Sequence, residues 1–379
     1  MSSQLPAELW LQIASYLSRP WLGRLARSNR TIYSILLHNL HHHLFFQGDA
    51  RSDDKICQTL TRISTDPDLS RAVQSCTLQS IRSSTLDFAF LCFKLFPNLA
   101  DITLEYTLIH ENQLDQLLIS VDKHPFSLTL FSGEIKTCNT RNVSTPLVYD
   151  THGPLPRFTS LSIVDNIVSF TVLPLFIHWT STHTLEHLTL CGRGDFIASF
   201  LTGRLKPVPF PKLKTLRLSA FSNNDVGLFA LMPMLEGLYF VTNNMHGTIY
   251  SDTLAIPKKS LPRLCHFEGI AEYVMPVVCG RPIRRVALSK PVPSHIHHSI
   301  ALNFGSLTPI RCLTLNDMPS PLSALKFAVS CCPALHELTI SQTTRYTTAP
   351  VCDSLSARPK PPLTLSHFDR NSTCSSATT

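Results

Sequence analysis

Apolar residues follow one rhythm in the first 40 positions of this 379-residue chain and another over most of what comes after. In LPAELWLQIASYLSRPWLGRLARSNRTIYSILL, residues 5–37, Leu9, Ile13, Tyr16 and Leu17 recur at helical spacing, and Trp10 and Leu11 widen the stripe. Pro6 suits the first turn of that helix, because the N–H it lacks would have no intrahelical partner there. The Ser18-Arg19-Pro20 break ends it. Trp21, Leu22, Leu25 and Ala26 begin a second helix with Arg24, Arg27 and Arg30 on its wetter side, and Ile32, Tyr33, Leu36, Leu37 and Leu40 mark a third. A unit of about 40 residues lies near the lower limit for folding alone, so a neighbour or partner is expected to cover part of this apolar surface.

Later the period shortens to two, and a phrase begins to recur. An apolar residue or Cys, then Pro, any residue and a second apolar residue, appears as FPNL at 96, LPRF at 155, FPKL at 210, MPML at 232, LPRL at 261 and CPAL at 332. An alternating, strand-like segment follows each phrase: LADITLEY, FTSLSIVD, LKTLRLSA, LEGLYFVT, LCHFEGIA and LHELTISQ. LEHLTLCG at 185, IRRVALSK at 283 and IRCLTLND at 310 keep the strand without the proline. The first apolar residue of each L-x-x-L-x-L unit falls at Leu99, Phe158, Leu185, Leu213, Leu235, Leu264, Ile283, Ile310 and Leu335. After the long first gap, where SLTLFSG at 127 fits a degenerate unit, the intervals are 27, 28, 22, 29, 19, 27 and 25 residues. Most lie within the roughly 20–29 residues of a leucine-rich repeat.

Helical stripes fill the intervals: Leu114, Leu117, Leu118 and Val121; Phe196, Ile197, Phe200 and Leu201; and Leu322, Leu325, Ala328 and Val329. The proline is expected to stop each helix and turn its predecessor extended where the next strand starts. A unit of this kind leaves an apolar face that only its neighbour covers, so stacking supplies stability. A doubly wound nucleotide-binding sheet also alternates strands and helices, but no glycine-rich phosphate loop follows any strand here. The turn position that usually holds Asn or Cys is Asn166 and Asn243 in two units but Arg193, Phe221, Pro291 and Met318 in others, which predicts an irregular solenoid. Between the two regions, SDDKICQTLTRI reads as a helix, Asp66-Pro67 as a turn and VQSCTLQSI as a first strand.

The N-terminal order LP-x-EL, Ile13, Tyr16-Leu17-Ser18, Leu22, Leu25, Ala26, Ser28-x-Arg30 and Tyr33 resembles an F-box, the adaptor-binding motif of SCF-type ubiquitin ligase receptors. Tyr33 stands where F-boxes often carry Trp. The later region resembles the leucine-rich repeats of F-box proteins, with Cys332 where such repeats often begin CP-x-L. The fold class is thus α/β: a three-helix F-box at 1–47, a connecting helix and first degenerate repeat at 48–98, an irregular solenoid of parallel strands and helices at 99–342, and a Ser/Thr/Pro-rich tail at 343–379 expected to be disordered. The resemblance implies that Leu5, Pro6, Leu9, Ile13, Leu17, Leu22 and Leu25 meet a Skp-type adaptor, linked onward to cullin and RING subunits. The chemistry would then lie in those other subunits. Residues between the buried leucines would present a target-binding face: His187, Thr189, Arg217, Tyr239, Arg285, Thr314, Glu337 and Thr339. The other reading of the first 40 residues is a helical cap, and of the whole chain a repeat scaffold that acts without ubiquitin.

Composition narrows the classes further. The chain is 44% hydrophobic and 16% charged, with formal net charge +7, but its basic residues are scattered and form no recognised nucleic-acid motif. No nucleophile elbow, HExxH or phosphate loop is present, so neither catalysis nor a cofactor is expected. Twelve cysteines are spread from Cys57 to Cys374 without a C-x-x-C pair, which argues against zinc and disulfides and for a reducing cytoplasmic or nuclear setting. His38 and His42 have metal-compatible spacing, yet no acidic or cysteine ligand stands beside them, so no metal is assigned there or at His297-His298. No signal peptide or membrane span is expected, because Glu8 breaks the first apolar run and Asp165, Asn166 and Pro174 break the second.

Overall fold

The computed structural model describes residues 5–49, 52–121, 125–136, 158–164, 167–168, 183–192, 210–219, 227, 229–241, 256–257, 259–289, 306–316, 321–341 and 364–365. The chain divides into two compact units, Met1–Gly192 and Arg193–Thr379. The six residues read as turn positions, the helix predicted at 196–201, His297-His298 and nearly all of the tail lie outside the described residues.

The first unit opens with three helices, α1 (Ala7–Ser15), α2 (Arg19–Ser28) and α3 (Arg30–His41). Ser18 precedes α2 with extended backbone, and Pro20 occupies its first turn. Asn29 then caps α3, its side chain accepting from the Thr31 N–H at 2.7 Å. Strand β1 (His43–Gln47) follows at once, so the sheet begins inside the segment read as purely helical. Helices α4 (Asp53–Thr65) and α5 (Pro67–Ala72) connect it to β2 (Ser75–Gln79). Asp66-Pro67 is the cap of α5: the Asp66 carboxylate accepts from the Asp68 and Leu69 N–H groups at 3.0 and 3.2 Å.

The unit continues through α6 (Ser83–Phe93), β3 (Asp101–Glu105), β4 (Leu108–His110), α7 (Glu111–Val121), β5 (Phe126–Phe131), β6 (Glu134–Lys136), β7 (Phe158–Val164), β8 (Ile167–Val168) and β9 (His187–Cys191). Strands β1, β2, β3, β5, β7 and β9 pair in that order, all parallel. The 127 segment is therefore a full strand. A second parallel ladder, β4-β6-β8, was not foreseen. The chain reaches it by turning sharply at Tyr106 and Ser132, whose φ values of 50° and 49° are left-handed; Ser80 has the same conformation at the end of β2. Each of these residues donates its N–H to the following strand, at 2.8–2.9 Å.

The second unit holds β10 (Thr215–Leu218), β11 (Gly237–Phe240), β12 (His266–Gly269), α8 (Ala271–Val278), β13 (Arg285–Leu288), β14 (Cys312–Asn316), α9 (Pro321–Cys331), β15 (Glu337–Ser341) and β16 (Thr364–Leu365). Strands β10 to β15 pair in chain order, all parallel, and β16 runs antiparallel to β15. At each strand entry one carbonyl accepts from two successive N–H groups of the next strand, as Glu236 does from Cys265 and His266 at 2.9 Å.

The recurring proline phrase is a β-turn. In FPNL, FPKL, MPML, LPRL and CPAL the fourth residue donates to the carbonyl of the first at 3.1–3.4 Å, which puts the proline at the second position, where its fixed φ fits. In four of these turns both apolar residues are buried, among them Phe210, Leu213, Met232, Leu235, Leu261 and Leu264; in CPAL Cys332 is buried and Leu335 half-buried. Alternate strand residues complete the core, as in Leu216, Leu238, Phe267, Val286, Leu313 and Leu338. Helix α7 buries Leu114, Leu117 and Val121 of its predicted stripe and leaves Leu118 half-buried. Helix α9 does not follow its predicted stripe: Ala324, Phe327, Ala328 and Cys331 are buried, while Leu322 and Val329 are 61% and 65% exposed. This helix is apolar on two faces, and packing chose the one carrying the aromatic ring.

Candidate protein-binding surfaces

Two surfaces stand out, one in each unit. In the first, Ala14, Leu22 and Leu36 form the centre of the three-helix core, with Leu17, Leu25, Ile32, Ile35 and Leu40 packed around them. The apolar residues that this core cannot accommodate face outward. Leu5, Leu9, Leu11 and Ile13 remain 39–45% exposed, Trp21 58% and Tyr16 83%. Leu9 and Ile13 are one turn apart on α1, so they share a face. Trp21 carries the Arg24 guanidinium 4.6 Å above its ring. Arg24, Arg27 and Arg30 are all exposed.

The structure thus divides the seven residues assigned to adaptor contact. Leu5, Pro6, Leu9 and Ile13 are exposed. Leu17 and Leu25 are half-buried against the core, and Leu22, at 6%, is core. Leu11, Tyr16 and Trp21 are open and were left out of that set. The signal for Leu11 and Tyr16 is the width of the α1 stripe, wider than one core face needs; Trp21 lies at the start of α2 and has no such signal.

On the sheet of the first unit, register places His187 in a row with Ser160, Ser127, Asp101, Ser75 and His43, and Thr189 in a row with Ser162, Thr129, Thr103, Thr77 and Phe45. These are mostly short hydroxyl side chains. In the second unit one row reads Arg217, Tyr239, Glu268, Ala287, Thr314 and Thr339, and the next reads Thr215, Gly237, His266, Arg285, Cys312 and Glu337. All six predicted target residues of this unit therefore stand on one face. His266, Glu268 and Cys312 join them, although strand alternation alone already pointed outward at each.

The residues around Tyr239 form a built cluster. A Cβ at Gly237 would lie 2.8 Å from Tyr239 Cε2, so the tyrosine ring lies down over the glycine. Its hydroxyl is 3.1 Å from His266 Nδ1, the two rings are 4.9 Å apart, and the Arg217 guanidinium sits 5.0 Å from the tyrosine centroid. Burial, then the charges of Arg285 and Arg217, push the His266 pKa below its ordinary value. Burial, then Glu268, push Tyr239 up. Neutral His266 can accept a hydrogen bond from the Tyr239 hydroxyl at Nδ1, which holds the ring flat.

Among the described residues no group of three or more His, Cys, Asp or Glu converges as a metal site, and no helix is long and apolar enough to cross a membrane. Nine cysteines among the described residues are free thiols, five of them buried.

No curated protein matches the sequence. Among solved structures, the chain is similar to the crystal structure of the Rad7 and Elc1 complex in yeast, with 15% identity, a TM-score of 0.44, and coverage of 91% of this chain and 90% of that one. Residues 2–47 match the F-box-like family. F-box proteins are typically non-catalytic subunits of ubiquitin ligases. The chain thus carries an F-box-like domain at its N-terminus, followed by parallel strands in leucine-rich-repeat-like order.

Proposed function

We propose that this protein is a substrate-recognition subunit of an SCF-type E3 ubiquitin ligase, resident in the cytoplasm, the nucleus or both. Its F-box-like domain docks on a Skp-type adaptor, which connects it to cullin and RING subunits, and its repeat-like sheet holds a target protein. The observation that carries this reading is the apolar surface that α1 and the start of α2 leave exposed, with Leu9 and Ile13 on one side of α1, Leu11 on another, and Trp21 on α2. The exposed fractions of Leu5, Leu9, Leu11, Ile13, Tyr16 and Trp21 amount to about three whole side chains. Covering them gains about 5–9 kcal/mol at about 1.5–3 kcal/mol each. That is comparable with the roughly 4–15 kcal/mol that association costs, so the face can support a complex in which polar pairs add the remainder. The three exposed arginines favour encounter with an acidic adaptor.

The test is reconstitution. The chain, mixed with its host's Skp-type adaptor, cullin and RING subunit, is expected to elute with them as one assembly on size exclusion. Elution apart from that assembly at micromolar concentrations refutes the receptor role.

A further inference from the structure

We propose that the second unit's sheet face recognises an extended target segment bearing isolated Asp or Glu side chains, anchored by Arg217, Arg285, Tyr239 and His266. This rests on the receptor reading and names the chemistry of its target.

Three observations on that face lead there. First, the contact surface is uneven. The first unit presents mainly Ser and Thr in its two rows, which offer little area to a partner, whereas the second presents Tyr239 and two Arg, types that dominate binding energy elsewhere, with His266 beside them. Second, the aromatic pair is pre-organised. Gly237 leaves room for the Tyr239 ring to lie flat, the His266 bond fixes it, and Arg217 stacks above, so little side-chain freedom remains to be lost on binding. Third, the cations on this face lack a carboxylate partner among the described residues, although Arg285 lies against the Cys312 thiol. Among the described residues neither Arg217 nor Arg285 has a carboxylate within 4.0 Å, although both act on His266 from opposite sides. A guanidinium fork held at a surface without a carboxylate is complementary to one.

The acidic residues on the same face define the fit. Glu268 stands beside Tyr239 in one row and Glu337 two strands beyond Arg285 in the other. A continuously acidic partner, or a phosphate backbone, meets both and is repelled. A segment with single carboxylates separated by neutral residues reaches the arginines and avoids the glutamates.

The test is selection from a random dodecapeptide display library on the purified full chain. Asp or Glu is expected to be enriched at least fivefold at one or two non-adjacent positions. That enrichment should vanish for an Arg217→Gln/Arg285→Gln variant, and an Arg217→Glu variant should instead enrich Lys or Arg. Both arginines are exposed, so folding is retained, and circular dichroism checks it. The proposal is overturned by selection without charge preference, by no selected peptide, by acidic enrichment that survives the double variant, or by a single-stranded oligonucleotide that binds through the same arginines and displaces the peptides. An adaptor pull-down on the same preparation separates the two ideas. Adaptor captured without acidic selection removes this inference alone, and failure to capture adaptor removes the receptor reading whatever the library yields.

Discussion

Arg281 joins two backbone segments of the second unit, and replacing it offers a quantitative check on how that unit is held together. It is 1% exposed, yet its guanidinium is surrounded by backbone oxygens. Nε donates to the Ser260 carbonyl at 3.0 Å, one terminal nitrogen to Pro276 and Val277 at 2.9 and 2.8 Å, and the other to Pro257 at 2.8 Å. Pro276 and Val277 are in the last turn of α8, where carbonyls lack intrahelical partners and the helix dipole favours a cation. The side chain thus ties the stretch before β12 to the end of α8. Bonds to a charged group contribute about 1.5–3 kcal/mol each, so four give roughly 6–12 kcal/mol gross. Desolvating the guanidinium costs several kcal/mol of that. An Arg281→Met variant is therefore expected to lose about 4 kcal/mol, because its thioether satisfies none of the four carbonyls. Hydrogen exchange read by mass spectrometry localises the effect: peptides within 256–289 should exchange about a thousandfold faster, at about 1.36 kcal/mol per decade. Peptides from β2 to β5 should keep their protection. Exchange of 256–289 within threefold of the parent protein would refute the reasoning.

The titration of His266 gives a second check. Its lowered pKa means the unfolded chain binds the proton more readily, so stability rises with pH in this window and falls as pH drops below about 6.5. Hydrogen-exchange protection of β11 and β12 should decrease from pH 7 to pH 5, and a His266→Asn variant should flatten that slope. Thiol reactivity gives a third. Burial raises the Cys76 and Cys92 thiols and pushes Cys332 up to about 12, so iodoacetamide at pH 8 should label these last, after the half-buried Cys57 and Cys265. Early labelling of Cys332 would show that the last repeat opens.

Much of this architecture is legible in the sequence because leucine-rich-repeat packing is short-range. The L-x-x-L-x-L alternation marks the strands of the main parallel ladder from β3 to β15, and Leu213, Leu235, Leu264 and Ile283 are buried as that spacing requires; it carries no sign of the short β4, β6 and β8. The proline phrase was located correctly, but its turn geometry depends on a hydrogen bond that spacing alone does not reveal. Strand β1 was missed because HLFFQ directly follows a helix and carries no turn signal before it. The α9 stripe failed where a helix offers two apolar faces and only its neighbours decide between them. At the proposed docking surface, sequence spacing does not separate Leu22, which fills the core, from Leu9 and Ile13 one helix earlier, which do not. The Tyr239 cluster was half visible: strand alternation placed Tyr239 and Arg217 outward, but the flat ring depends on the missing Cβ of Gly237, a residue with no chemistry of its own.

The central claim is that exposed leucine and isoleucine on α1 hold an adaptor, and a binding titration against the host's Skp-type adaptor tests it most directly. The intact chain is compared with a Leu9→Asp/Ile13→Asp variant shown by circular dichroism to retain its fold, as expected for side chains 42% and 39% exposed. Removing their exposed apolar area costs about 1.2–2.4 kcal/mol. Setting two carboxylates without partners against an apolar contact adds at least about 1–3 kcal/mol. Binding by the intact chain at micromolar concentrations and a loss of at least about fortyfold in the variant are expected, at about 1.36 kcal/mol per decade. Equal binding by both chains, or none by the intact one, would contradict the claim and leave the first 40 residues as a cap on the repeats.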